Sequence, residues 1–148
     1  MPKLSWGASS SSSSKEVTPL PDNIVALVTI PGFEEGTVPA TTYEQVVALL
    51  KKFTQGVDNN ADAFNWLGFS YRQLELYSKA FEPYQQALAI DKKHLGANEY
   101  LGELYLKTDK PKKAKKYLKK LAKYCKKECE EYLELKEKIE AYEQRASS

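Results

Sequence analysis

Two cysteines, Cys125 and Cys129, a single histidine, His94, and a run of lysines between positions 107 and 127 are the residues whose types could do chemistry here. The cysteines stand four apart, where one helical pattern hands over to the next. Within one continuous helix that spacing aligns poorly for a disulfide. Across a turn, the Cα atoms can approach the roughly 5.5 Å that a disulfide prefers. Three readings stay open: a staple across the turn, two reduced thiols, or a redox or metal pair. A two-cysteine metal site needs further ligands, and His94 is distant in sequence, so no metal or cofactor is expected. A catalytic centre needs a nucleophile beside a base, or a paired acid and base. One histidine, scattered carboxylates and no glycine-rich phosphate loop do not make one, and the chain is not expected to be an enzyme.

The lysine run is strongly one-sided. Residues 107–127 carry 11 Lys against one acid, Asp109, while the net charge of the whole chain is only +2. The segments on either side are each net acidic. Lys112, Lys113, Lys116, Lys119, Lys120 and Lys123 all fall off the apolar stripe of their helix, which is what a solvated face looks like. Clustered lysine also suits phosphate, but the segment has no Arg, the better reader of phosphate and base edges. Nucleic acid is therefore disfavoured, and an acidic protein or an anionic membrane surface are the charged partners that fit.

The elements that must position these residues are helical. The 42% hydrophobic and 28% charged residues are ordinary for a globular domain, and the 148-residue length suits one domain. The longest apolar run, Ile24 to Ile30, is far short of the roughly 20 residues that span a bilayer. No hydrophobic stretch follows Met1–Lys15, so no secretory signal is expected. Residues 1–40, with the serine tract Ser9–Ser14 and Pro19, Pro21, Pro31 and Pro39, read as an extended low-complexity arm. Within it, Asn23–Ile30 reads as a strand or a short docking segment, ended by Pro31-Gly32. From Thr41 the pattern turns helical, with capping boxes at Thr41/Glu44 and Thr42/Gln45. Further helices are expected over 62–74, 78–90, 96–107, 112–126 and about 128–145. Pro83 falls inside one of them and should kink it. The fold class is all-α.

These helices pair, and the pairs superimpose after 34 residues. Leu67, Gly68, Tyr71, Ala80 and Tyr84 recur as Leu101, Gly102, Tyr105, Ala114 and Leu118. Gly and Ala belong where two helices cross closely, and the large residues fill the space between pairs, so stacking is obligatory. Phe64, Leu67, Gly68, Tyr71, Ala80, Tyr84 and Ala87 resemble the signature of the tetratricopeptide repeat (TPR) family. The second copy departs from it at Asn98 and Leu121, and Lys92 and Lys126 stand where a closing proline is usual. The division this implies is an arm over 1–40 and a TPR domain over 41–148. The domain comprises a half repeat (41–60), two repeats (61–94 and 95–128) and a capping helix (129–146).

The C-terminal part looks closer to small bacterial-type TPR proteins with a paired-Cys turn, a group often exported. An oxidising exported or lumenal compartment would follow if Cys125 and Cys129 are bonded. The TPR resemblance further implies a concave groove lined by Asn65, Phe69, Arg72, Gln73, Glu99, Glu103, Leu106 and Lys107, holding a partner segment. Glu99 and Glu103 would repel a carboxylate, so a segment with a basic and an apolar group suits it better. The expected function is a non-catalytic protein-interaction module. Its rival is an accessory subunit or assembly factor, docked through the arm and the lysine face.

Overall fold

A computed structural model of the chain describes residues 16–148, so the serine tract lies outside the described residues. There are seven helices among them: α1 (Asp22–Val28), α2 (Ala40–Gly56), α3 (Ala61–Gln73), α4 (Tyr77–Ile90), α5 (Leu95–Lys107), α6 (Pro111–Cys125) and α7 (Glu130–Ala146). No strand occurs among the described residues. They fall into two compact units, one ending at Lys92 and one over Lys93–Ser148.

The first unit is built around the α3–α4 hairpin, with α2 packed on α3 and α1 on α2. Gly68 explains the closeness of the hairpin, since a Cβ there would sit 2.8 Å from the Tyr84 ring. Tyr84, Ala80 and Ala87 are fully buried beneath it. The segment expected to be a strand is the helix α1 instead. Pro21 supplies its N-cap, Asp22 favours the positive end of the helix dipole, and Ile24 and Val28, one turn apart, are its buried face. Burial of that face overrides the β-branched composition. The Thr41 and Thr42 capping boxes are not used: α2 begins at Ala40 behind Pro39, which offers no side-chain cap, so both threonines lie inside the helix. Pro83 sits in the interior of α4, and the helix is continuous on either side of it.

The second unit packs α5 against α6, and both against α7. Ala114, Leu121, Tyr132, Leu135 and Ile139 form its core. Gly102 is likewise small at a close helix crossing, here with α7, because a Cβ there would meet Leu135 at 2.7 Å.

The 34-residue period extends to the backbone. Asn60 and His94 cap α3 and α5, accepting from the amides of Ala63 and Ala97 at 2.9 and 3.0 Å. Glu75 and Asp109 both adopt the left-handed conformation, with φ of 59° and 58°. Beside them, the amides of Leu76 and Lys110 donate to the carbonyls of Tyr71 and Tyr105 at 2.9 and 2.8 Å. Each is the 6→1 bond that closes a helix C-terminus.

Candidate functional site

In the first unit, the positions expected to line a groove are enclosed. Asn65 and Phe69 are fully buried and Arg72 nearly so, while Gln73 is half-buried. Phe33 accounts for part of this cover. Its ring lies 5.5 Å from Phe69, 5.5 Å from Trp66 and 5.0 Å from Tyr43, and the Tyr43 hydroxyl donates to the Phe33 carbonyl at 2.7 Å. The Arg72 guanidinium stands 5.2 Å over the Phe69 ring, a cation–π contact. Both amide atoms of Asn65 are buried without a hydrogen-bond partner among the described residues. Further along, Asn59 and Asn60 hold residues 16–18: the Asn59 amide donates to the Glu16 carbonyl at 2.9 Å and that of Asn60 to the Thr18 carbonyl at 2.8 Å. Residues 16–39 are thus folded onto their own unit. The sequence signal for Phe33 is thin, one aromatic after Pro31-Gly32, and its partners lie on elements that sequence spacing does not connect to it.

In the second unit, Glu99 is fully buried and Glu103 nearly so. Their carboxylates lie with that of Glu134 from α7 within 4.8 Å of one another. Among the described residues these three side chains form the group whose chemistry suits a cation, and here the ammonium of Lys138 is paired with Glu103. Leu106 packs against the core of the unit rather than lining an open groove, whereas Lys107 is exposed. Five of the eight groove positions are therefore buried and a sixth belongs to the core edge.

The lysine face stands open. Lys112, Lys113, Lys116, Lys119, Lys120 and Lys123 are all exposed on α6. Pro111 starts that helix at its first turn, where a missing amide costs nothing. Lys115 pairs with Glu143 of α7 at 2.6 Å. Lys112, Lys116, Lys119 and Lys123 have no ion pair among the described residues. Two others rest on aromatic rings: Lys113 lies 5.4 Å from the Tyr105 ring and Lys120 4.6 Å from the Tyr117 ring. Those two tyrosines stack at 5.8 Å. Burial pushes the Tyr117 hydroxyl above its ordinary pKa, with neighbouring Tyr105 adding to it, so the ring stays neutral beneath the lysines. Like charges one turn apart each destabilise a helix by about 0.2–0.5 kcal/mol, and α6 carries several such pairs.

At the end of α6 the chain turns through Lys126 and Lys127, both left-handed with φ of 54° and 65°. This turn brings Cys125 and Cys129 to a Cα separation of 5.6 Å, and their sulfurs are bonded. Cys129 is the N-cap residue of α7, so the bond joins the end of one helix to the start of the next.

Short-linked helix pairs, repeated at 34 residues with small residues at their crossings, define an all-α helical-repeat protein. Residues 71–139 match the family model described as Tetratricopeptide repeat. The matched residues run from the last turn of α3 into α7, and the packed adjacent helices are consistent with a TPR helical solenoid. TPR repeats generally mediate protein–protein interaction and are generally non-catalytic. No curated protein matches the chain. No described helix is long and apolar enough to cross a membrane.

Proposed function

We propose that this chain is a non-catalytic interaction module that docks an acidic protein partner on the lysine face of α6. The observation that carries the reading is that face: seven exposed lysines on one helix, of which Lys115 alone is taken up in an ion pair among the described residues. Lys115 and Glu143 illustrate how a carboxylate on an adjacent helix is taken up, and a partner's acidic helix or strand would meet the remaining ammonium groups in the same way. Charge complementarity of this kind sets encounter rate and specificity more than raw affinity.

The burial of Asn65, Phe69, Glu99 and Glu103 weighs against partner capture in the expected groove. The packing of Phe33 and the tethering of residues 16–18 weigh against residues 16–39 serving as a clamp on another protein. A module of this kind remains folded alone, whereas an obligate subunit does not. The test is affinity capture with the full chain and with a variant carrying Lys116→Glu, Lys119→Glu and Lys123→Glu. Loss of the captured acidic protein in the variant supports the reading. Retention of the same partners, or capture that nuclease abolishes, contradicts it.

A further inference from the structure

Pro83 breaks a local rule, and its surroundings give the break a use. A depression of about 280 Å³ opens in the first unit against α2, α3 and α4. Its apolar floor comes from Phe64, Leu67, Tyr71 and Pro83, and Lys51 and Lys79 stand at its rim. Both lysines are exposed, and neither has an ion pair among the described residues. In an unbroken helix the carbonyl of Lys79 accepts from the amide of residue 83, and proline has no such amide. The acceptor left over lies between two residues that both line the depression. The site therefore combines an apolar floor and two ammonium groups at the edge, with Glu82 as the one acid on the rim, and beside Pro83 a Lys79 carbonyl that lacks its usual helix donor. Its volume is at the small end for ligand pockets, which start at roughly 300 Å³, and suits a single large side chain.

We propose that this depression seats a tryptophan or tyrosine from an acidic segment of a partner protein. The ring lies on Phe64, Leu67, Tyr71 and Pro83. Its edge N–H or O–H donates to the Lys79 carbonyl, and flanking carboxylates meet Lys51 and Lys79. The chemistry is specific: an aromatic without an edge donor leaves the carbonyl unmet, and a basic segment is repelled by the rim. The site is distinct from the lysine face of α6, so it stands or falls separately from the function proposed above.

The test is NMR titration of the isotope-labelled full chain with three peptides: Asp-Glu-Trp-Glu-Asp, the same with Phe for Trp, and the same with Ala for Trp. The expected result is chemical-shift change centred on residues 64–71 and 79–86. The Trp peptide should bind about threefold or more tighter than the Phe peptide, the worth of one hydrogen bond, and the Phe peptide tighter than the Ala peptide. Pro83→Ala restores the helix amide and should abolish the preference of Trp over Phe while leaving the Ala peptide unaffected. Lys51→Glu with Lys79→Glu, both at exposed positions, should weaken the Trp peptide about tenfold or more. Equal binding of all three peptides, or shifts confined to α6, overturns the proposal. So does a Trp preference that survives Pro83→Ala. Shifts at 64–71 that depend on protein concentration without peptide also overturn it, because the occupant would then be a second copy of the chain.

Discussion

At Glu75 and Asp109 an ordinary L-residue occupies a conformation that glycine adopts freely, with φ near +60° in both. The left-handed region costs a non-glycine residue roughly 1–2 kcal/mol, and glycine gives back part of that in unfolded-state entropy. Glu75→Gly should therefore stabilise the protein by about 1 kcal/mol in chemical denaturation. Asp109→Gly should gain less, because the Asp109 carboxylate accepts from the Tyr142 hydroxyl at 3.0 Å. Tyr43 supplies a pH signal. Burial pushes its hydroxyl above the usual 10.0, nearby Glu35 adds to this, and Arg72 partly opposes it. A folded-state value above the unfolded one means its contribution is intact below about pH 10 and is lost as pH rises through the folded value. Denaturation at pH 9 and at pH 11 should show a smaller alkaline loss of stability for Tyr43→Phe than for the parent. The turns at Glu75 and Asp109 were not legible in the sequence, because no glycine marks them. The Asn60 and His94 caps recur at the repeat spacing but are not a pair of like residues, so the period did not reveal them either.

The long helices were legible because packing imposed their residue types: Gly68 and Gly102 had to be small where Tyr84 and Leu135 press against them. The expected starts and ends of the helices from α3 to α6 lie within a residue of the observed ones. The short helix α1 was not legible. Seven residues rich in Ile and Val between prolines look extended when read locally, and only the burial of Ile24 and Val28 makes them helical. Phe33 is the other residue whose role depends on distant partners. It is fully buried among three aromatic side chains, and Phe33→Ala should cost about 3–5 kcal/mol. Limited proteolysis should then cut that variant within residues 16–39 while the parent resists. At the other end, the Cys125–Cys129 bond closes a very short loop. On the chain-entropy account, a five-residue loop contributes about 2 kcal/mol. A reductant, or Cys125→Ser with Cys129→Ser, should lower the melting temperature, and added reductant should not lower that of the double variant further.

For the whole molecule, function is a matter of which surface is open. The lysines of α6 are exposed, and amphipathic spacing alone makes such exposure legible in a sequence. The burial of the residues expected to line a groove was not legible, because it involves side chains from other elements: Phe33 lies 5.5 Å from Phe69, and the Glu134 carboxylate lies beside those of Glu99 and Glu103. The net charge of +2 conceals the surface that matters, and its interactions should weaken steeply with salt, since the Debye length falls from about 8 Å at physiological ionic strength to about 3 Å at 1 M. The central claim, docking of an acidic protein on α6, is tested most directly by quantitative affinity capture from the native source. The full chain is compared with its Lys116→Glu, Lys119→Glu, Lys123→Glu variant at low and high salt. The account predicts an acidic partner that is retained by the parent at low salt, released as salt rises, and missing from the variant at every salt concentration. An unchanged set of partners on the charge-reversed variant would contradict it.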